Sequence, residues 1–278
     1  MKNMEILKVI TKEVFEQHVP AAKMPERNTG VLDRLQTEIE MQYGSIVRNI
    51  VGTELQGILD EEGVLRQTVI RMVCLGSFMK TMRSLDLVLT ATGFGIVSTE
   101  STAPASKARV DALYEECGEK LLLATGRLLT ELTKKDGWGA SDCAAYYIPT
   151  LFYRPMLLQR TTLPLTTANW QKARSMAVTA DALLRREISE EYMNELLVKT
   201  RTASLNNADI IITDLCNNFT ADYISADGTP NHFLKQRLVE QLENYPQSYP
   251  TYQQSRLYRK RHAERFQNSP EDPTFFFV

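Results

Sequence analysis

Leu85–Leu113 reads LDLVLTATGFGIVSTESTAPASKARVDAL, and its changes of period decide the fold. Leu85, Leu87 and Leu89 alternate with Asp86, Val88 and Thr90, the two-residue period of a strand. Ala91-Thr92-Gly93 supplies a turn and Phe94–Ser98 resumes with β-branched residues, which predicts a small two-stranded hairpin over residues 85–98. Gly93 and Gly95 admit a positive φ or a bulge there. Ser98–Pro104 is a polar connector, and from Ser106 the period becomes helical.

Both flanks of this stretch read as helices. In Val64–Met82, VLRQTVIRMVCLGSFMKTM, apolar residues cover most of the helix circumference and leave Arg66, Gln67, Arg71 and Lys80 as the clear polar positions. That is the pattern of a central helix buried on several sides. In Ser106–Leu132, Val110, Leu113, Cys117, Leu121, Ala124, Leu128 and Leu132 form a seam at three- and four-residue steps. At 1.5 Å per residue this helix is about 40 Å long, enough to span a domain.

Toward the N-terminus, Met4–Gln17 predicts an amphipathic helix carrying Ile6, Leu7, Ile10, Val14 and Phe15, stopped by Pro20 and Pro25. Asn28-Thr29-Gly30 starts a second helix with Leu32, Leu35 and Ile39 on one face. Tyr43-Gly44 reads as its break or bend, after which Ser45–Leu59 keeps a helical register up to a turn at Asp60–Gly63. Toward the C-terminus, Ser141–Leu165 is aromatic and proline-containing, and reads as a loop with short helical turns. Ala168–Arg185 is helical, and Ser189 opens another helix with Glu190 and Glu191 in its first turn. Leu205–Tyr223 is helical by spacing, with a strand over Ile210–Ile212 as the alternative. Pro230 is placed as a first helical residue before Asn231–Leu242. Gln254–Phe266 predicts a basic helix, and Pro270–Val278 an extended tail.

The expected architecture is mainly α: a multi-helix bundle with one small hairpin and an extended C-terminal tail. It divides into a helical domain with the hairpin over residues 1–140 and a connector over 141–165. A second helical region over 166–268 packs on the first, and the tail covers 269–278.

Apolar residues make up 43% of the chain and charged residues 24%, an ordinary globular balance with enough apolar surface for a core. Net charge is −2, whereas a protein built mainly to grip nucleic acid usually carries a basic excess. The N-terminal residues lack the apolar core of a signal peptide, and no apolar run approaches a membrane span. A cytosol-like compartment is expected, and there Cys74, Cys117, Cys143 and Cys216 stay reduced and structural.

Candidate chemistry is sparse. His18, His232 and His262 are scattered without metal-ligand spacing, so no metal and no cofactor is expected. Gly93-Phe94-Gly95 does not continue into a phosphate-binding motif. Ser141-Asp142-Cys143 sets a nucleophile beside a carboxylate but brings no histidine, so a catalytic site around Ser141–Tyr153 would need residues remote in sequence. Arg256, Arg259, Lys260 and Arg261 are the candidate phosphate contacts, set among Tyr252 and Tyr258. Phe275, Phe276 and Phe277 with Val278 form an apolar run after Pro270 and Pro273. Such a run docks on its own core or on a neighbour. The stiff proline lead favours the neighbour, and Phe94 on the hairpin joins these three phenylalanines as a candidate partner contact.

The segments Leu85–Thr90, Gly93–Ser98, Ala103–Ser106 and Arg109–Asp111 together are similar to a pattern in uncharacterised proteins of Bacteroides-type prophages and related tailed phages. The similarity is strongest over residues 64–132. The resemblance implies a virion structural or assembly protein, such as a head–tail connector or adaptor, found in the bacterial cytoplasm during assembly or in the virion. It implies no reaction and no cofactor, and its partners would be further copies of the chain or other virion components. Two alternatives stay open: a nucleic-acid-handling protein using the basic helix, and an enzyme whose site is assembled from residues distant in sequence.

Overall fold

In a computed structural model, residues 5–19, 30–83, 87–90, 93–96 and 106–263 are described. They are mainly helical. Helices α1 (Ile6–Val9), α2 (Lys12–His18), α3 (Gly30–Ile46) and α4 (Val64–Thr81) lead into strands β1 (Leu87–Thr90) and β2 (Gly93–Ile96). Then follow α5 (Lys107–Leu132), α6 (Asp142–Tyr147), α7 (Thr167–Ile188), α8 (Glu190–Arg201), α9 (Asn207–Ser225), α10 (His232–Asn244), α11 (Pro250–Gln253) and α12 (Arg256–Arg261). The strands pair antiparallel, with Leu87 opposite Ile96 and Thr90 opposite Gly93. The polar connector after the hairpin and the Pro270–Val278 segment lie outside the described residues.

The two helices that flank the hairpin form the centre of the first half. α4 packs between α3 and α5 and buries Leu65, Val69, Ile70, Met72, Val73, Cys74, Leu75 and Phe78. Arg71 is fully on the solvent side and Arg66 partly so. The expected seam of α5 faces inward, with Cys117, Ala124, Leu128 and Leu132 buried. In the second half α7 packs on α8, α9 and α10, and α11 packs on α8. One apolar core runs through both halves, from Ile6 and Phe15 to Leu242 and Tyr252. A smaller core joins Leu122 of α5, Phe152, Leu157 and Leu158 of the connector, Trp170 of α7 and Ile224 of α9.

Several boundaries depart from the sequence expectation, each for a local reason. The first helix divides at Ile10–Thr11, because the Thr11 side chain accepts from the Val14 amide and caps a fresh helix. Tyr43-Gly44 does not break α3: Tyr43 is buried and the helix runs on to Ile46. It then widens into a π turn over Val47–Val51 that buries Val47, Ile50 and Val51. The break falls at Gly52, whose φ of 91° suits glycine, and Thr53–Leu59 is a 3-10 helix. Pro230 precedes its helix, because Asn231 takes the cap and accepts from the amides of Phe233 and Leu234. Ile210–Ile212 is helical throughout, held by the reciprocal capping of Asn206 and Asp209. The basic helix is shorter than expected among the described residues, spanning Arg256–Arg261 behind the Ser255 cap.

The halves meet at a turn after α5. Trp138 is fully buried, and its indole N–H donates to the Ile50 carbonyl at 2.9 Å. Gly139 lies so close to α8 that an added Cβ would fall 2.6 Å from the Arg201 carbonyl oxygen. Arg201 in turn donates from Nε and Nη2 to the Ile148 carbonyl at 3.0 and 2.9 Å. Trp138→Ala is expected to cost about 3–5 kcal/mol in urea unfolding. Gly139→Ala is expected to be clearly destabilising in the same assay, because the obstacle is backbone, whereas Gly63→Ala, with open space around its Cβ, leaves the midpoint close to that of the parent chain.

Candidate functional site

The four basic residues singled out in the sequence lie on α12, and the fold divides them. Ser255, nearly fully buried, caps the helix by accepting from the Tyr258 amide. Beneath it Tyr252 is fully buried, and its hydroxyl donates to Glu243 of α10. Arg261 turns inward: it donates to the Tyr252 hydroxyl at 3.0 Å and to Glu187 of α7 at 3.3 Å, with Glu243 3.9 Å away. Glu187 is shared with Lys235 of α10 at 2.6 Å. Arg261 therefore pins α12 to α7 and α10, and its charge is matched. His262 stacks on Tyr258, with centroids 4.0 Å apart. Its Nδ1 faces the Tyr258 carbonyl and its Nε2 faces Glu243, so the ring donates to both only when it carries both protons.

The remaining basic residues turn outward. Arg259 donates to the Gln254 carbonyl at 3.1 Å and so closes its own helix start. Arg256 and Lys260 line a cleft between α12 and the corner where α7 gives way to α8. The corner is Ser189, a buried residue held at φ 140°, whose hydroxyl accepts from the Tyr192 amide. Positive φ in a non-glycine residue costs on the order of 1–3 kcal/mol, which the surrounding packing must offset. Arg185 and Arg186 approach from the last turn of α7, and Leu257 supplies an apolar patch.

Charge in the cleft is unevenly satisfied. Arg185 bonds Asp181 at 2.5 Å and both Glu190 and Asn194 at 2.6 Å. Burial pushes the Asp181 carboxyl up, and Arg185 opposes that shift. Glu191 accepts from the Arg256 amide at 3.3 Å. Hydrogen bonds from its own amide, from that of Arg256 and from Ser189 hold its carboxyl below the usual range. The side chains of Arg186, Arg256 and Lys260 have no partner among the described residues. Arg186 was not a sequence candidate; the adjacent Arg185-Arg186 pair at a helix end was the available signal, but only the fold sets it opposite Arg256.

The other candidates have structural work. The Ser141 hydroxyl accepts from the Ala144 amide and donates to the Trp138 carbonyl at 2.6 Å, which makes it a helix cap. Cys143 Sγ donates to the Arg48 carbonyl, and burial pushes its thiol up. Burial also raises the Cys74 thiol, to about 12, and the Cys216 thiol further. His18 lies beside Leu75 and Leu113, with its pKa lowered by burial and then by Arg71. Among the described residues no group of three or more His, Cys, Asp or Glu is placed to hold a metal ion. Nor is any helix among them long and apolar enough to cross a membrane. Phe94 lies on β2, while Phe275, Phe276 and Phe277 fall outside the described residues.

Residues 41–148 match a family of unknown function (DUF6712). The match covers less than half of the chain, which is similar to that family from the end of α3 to the end of α6. The stretch contains Ile50 and Trp138 and ends at Ile148, the acceptor for Arg201. The cleft beside α12 lies beyond it. No curated protein and no solved structure matches the chain.

Acid should loosen the α8–α12 contact. The Glu191 carboxyl has a lower pKa folded than unfolded, so its contribution is present above the unfolded value and is lost as pH falls through the folded one. The hydrogen-exchange protection of the Arg256 amide, measured from about pH 6 to about pH 3, is expected to drop, and Glu191→Gln is expected to flatten that profile.

Proposed function

We propose that this chain is a non-enzymatic structural or assembly protein, of the head–tail connector or adaptor kind found in tailed phages, acting by self-association and by docking on other virion components. The observation that supports this reading is the apolar exposure on the α9–α10 pair. Phe233 is 70% exposed, Tyr245 56%, Ile210 51% and Ile211 47%. Ile210 and Ile211 lie near the start of α9, Phe233 at the start of α10 and Tyr245 at its C-cap, and large exposed apolar side chains of this kind are suited to pack on another surface. Ser141 caps α6 and Cys143 bonds the Arg48 carbonyl, roles that agree with a protein that holds shape. The similarity of the hairpin region to prophage and tailed-phage proteins supplies the virion context.

Nucleic-acid handling through α12 is the weaker reading. Arg261 is spent on Glu187, Glu243 and Tyr252, and Arg259 on its own helix start. A phosphate backbone would meet fewer cations than the sequence offers.

Sedimentation equilibrium across protein concentration tests the proposal. Self-association is expected, and Phe233→Ser combined with Ile210→Ser is expected to weaken it by about tenfold or more, the loss of two apolar anchors. A chain that stays monomeric at every concentration, or that turns over a substrate, overturns the reading.

A further inference from the structure

We infer that the cleft between α12 and the α7–α8 corner is a docking site for the chain's own Pro270–Val278 segment, held in cis. This stands on the cleft and does not depend on the assembly role.

The cleft has a volume of about 440 Å³. Its two carboxylates are already engaged, Glu190 by Arg185 and Glu191 by the Arg256 amide. Arg186, Arg256 and Lys260 are left as a cationic rim without partners among the described residues. Its floor has an apolar element in Leu257 and in the methylene stems of the arginines and the lysine. An occupant must therefore bring neighbouring carboxylates and, a few residues on, apolar side chains. Pro270–Val278, PEDPTFFFV, has that order: Glu271 and Asp272, then Phe275, Phe276 and Phe277.

Reach selects the same chain. Arg256 and Lys260 lie along one flank of α12, which runs from Arg256 to Arg261. Glu271 follows Lys260 by 11 residues in the sequence. A segment leaving the end of α12 has enough chain to reverse and lie alongside it. Closing so short a loop is inexpensive, and a tether of this length gives an effective concentration in the millimolar range. A second copy reaches that concentration only in a dense assembly. The proline lead, which from sequence alone favours reaching outward, suits an extended strand along this cleft equally well.

Photo-crosslinking in the full chain tests the assignment. Phe276 is replaced by p-benzoylphenylalanine, light and isotopically heavy chains are mixed, and crosslinks are mapped by mass spectrometry. Crosslinks within one chain to residues 185–191 and 256–260 are expected. Arg256→Glu with Lys260→Glu should lower their yield about fivefold, the effect of losing two exposed ion pairs. Adding Glu271→Lys and Asp272→Lys should restore it. The four positions other than Phe276 are charged residues, and circular dichroism of each variant shows that the fold is intact. Crosslinks elsewhere, crosslinks only between chains, no crosslinks, or a yield indifferent to charge reversal would each overturn the inference. Sedimentation behaviour is read separately, so this assignment and the assembly reading can fail independently.

Discussion

The turn after α5, anchored by a buried indole, is where the two halves of this protein meet. Trp138 is surrounded by protein, and its N–H is satisfied by the Ile50 carbonyl. Burying that N–H without an acceptor would cost about 1–3 kcal/mol, so the π turn that carries Ile50 and the turn that follows α5 are placed together. Gly139 lets the end of α8 approach to a distance that no side chain permits. Arg201, at that same end, reaches Ile148 with two N–H groups. This junction seats α8 against the first half, while the smaller core joining Leu122, Trp170 and Ile224 holds α7 and α9 against α5.

Interior polarity follows the same logic. Asp209 is 2% exposed, but it accepts from Tyr192, Lys199 and the Asn206 amide. The Tyr192 hydroxyl is pushed strongly upward, by burial first and by Asp209 second, and stays protonated to donate. A buried carboxylate supplied with three donors is a fixed point between α8 and α9. The Arg185 cluster does the same at the other end of α8, where Asp181, Glu190 and Asn194 surround one guanidinium.

Helical seams were legible in the sequence because they are periodic. Val110 to Leu132 and Val64 to Met82 each declare an inward face, and the structure buries it from Cys117 to Leu132 and from Leu65 to Phe78. Boundaries were less legible, because several signals compete at each. Gly44 and Gly52 look alike in sequence, yet Tyr43 packs inward and carries the helix past the first, so the break waits for the second. Thr11 and Asn231 won caps because a side-chain oxygen within reach of two or three amides outweighs simple continuation of the apolar pattern. The basic residues of α12 were indistinguishable from one another as a string. What separates Arg261 from Lys260 is Glu187 and Glu243, which arrive from α7 and α10. The cleft was hidden for the same reason, since Arg186 and Arg256 become neighbours only through tertiary packing.

The junction also has a consequence for synthesis. Trp138 binds a carbonyl 88 residues behind it, and Arg201 a carbonyl 53 residues behind. Closing contacts at such separations is slow compared with forming local helices. A nascent polypeptide that has emerged only as far as α6 has Gly139 without the chain end that packs on it. Translation must proceed through Thr202 before that contact exists. Until then the early helices wait on the ribosome for a late one, and premature termination between the two would leave this junction open.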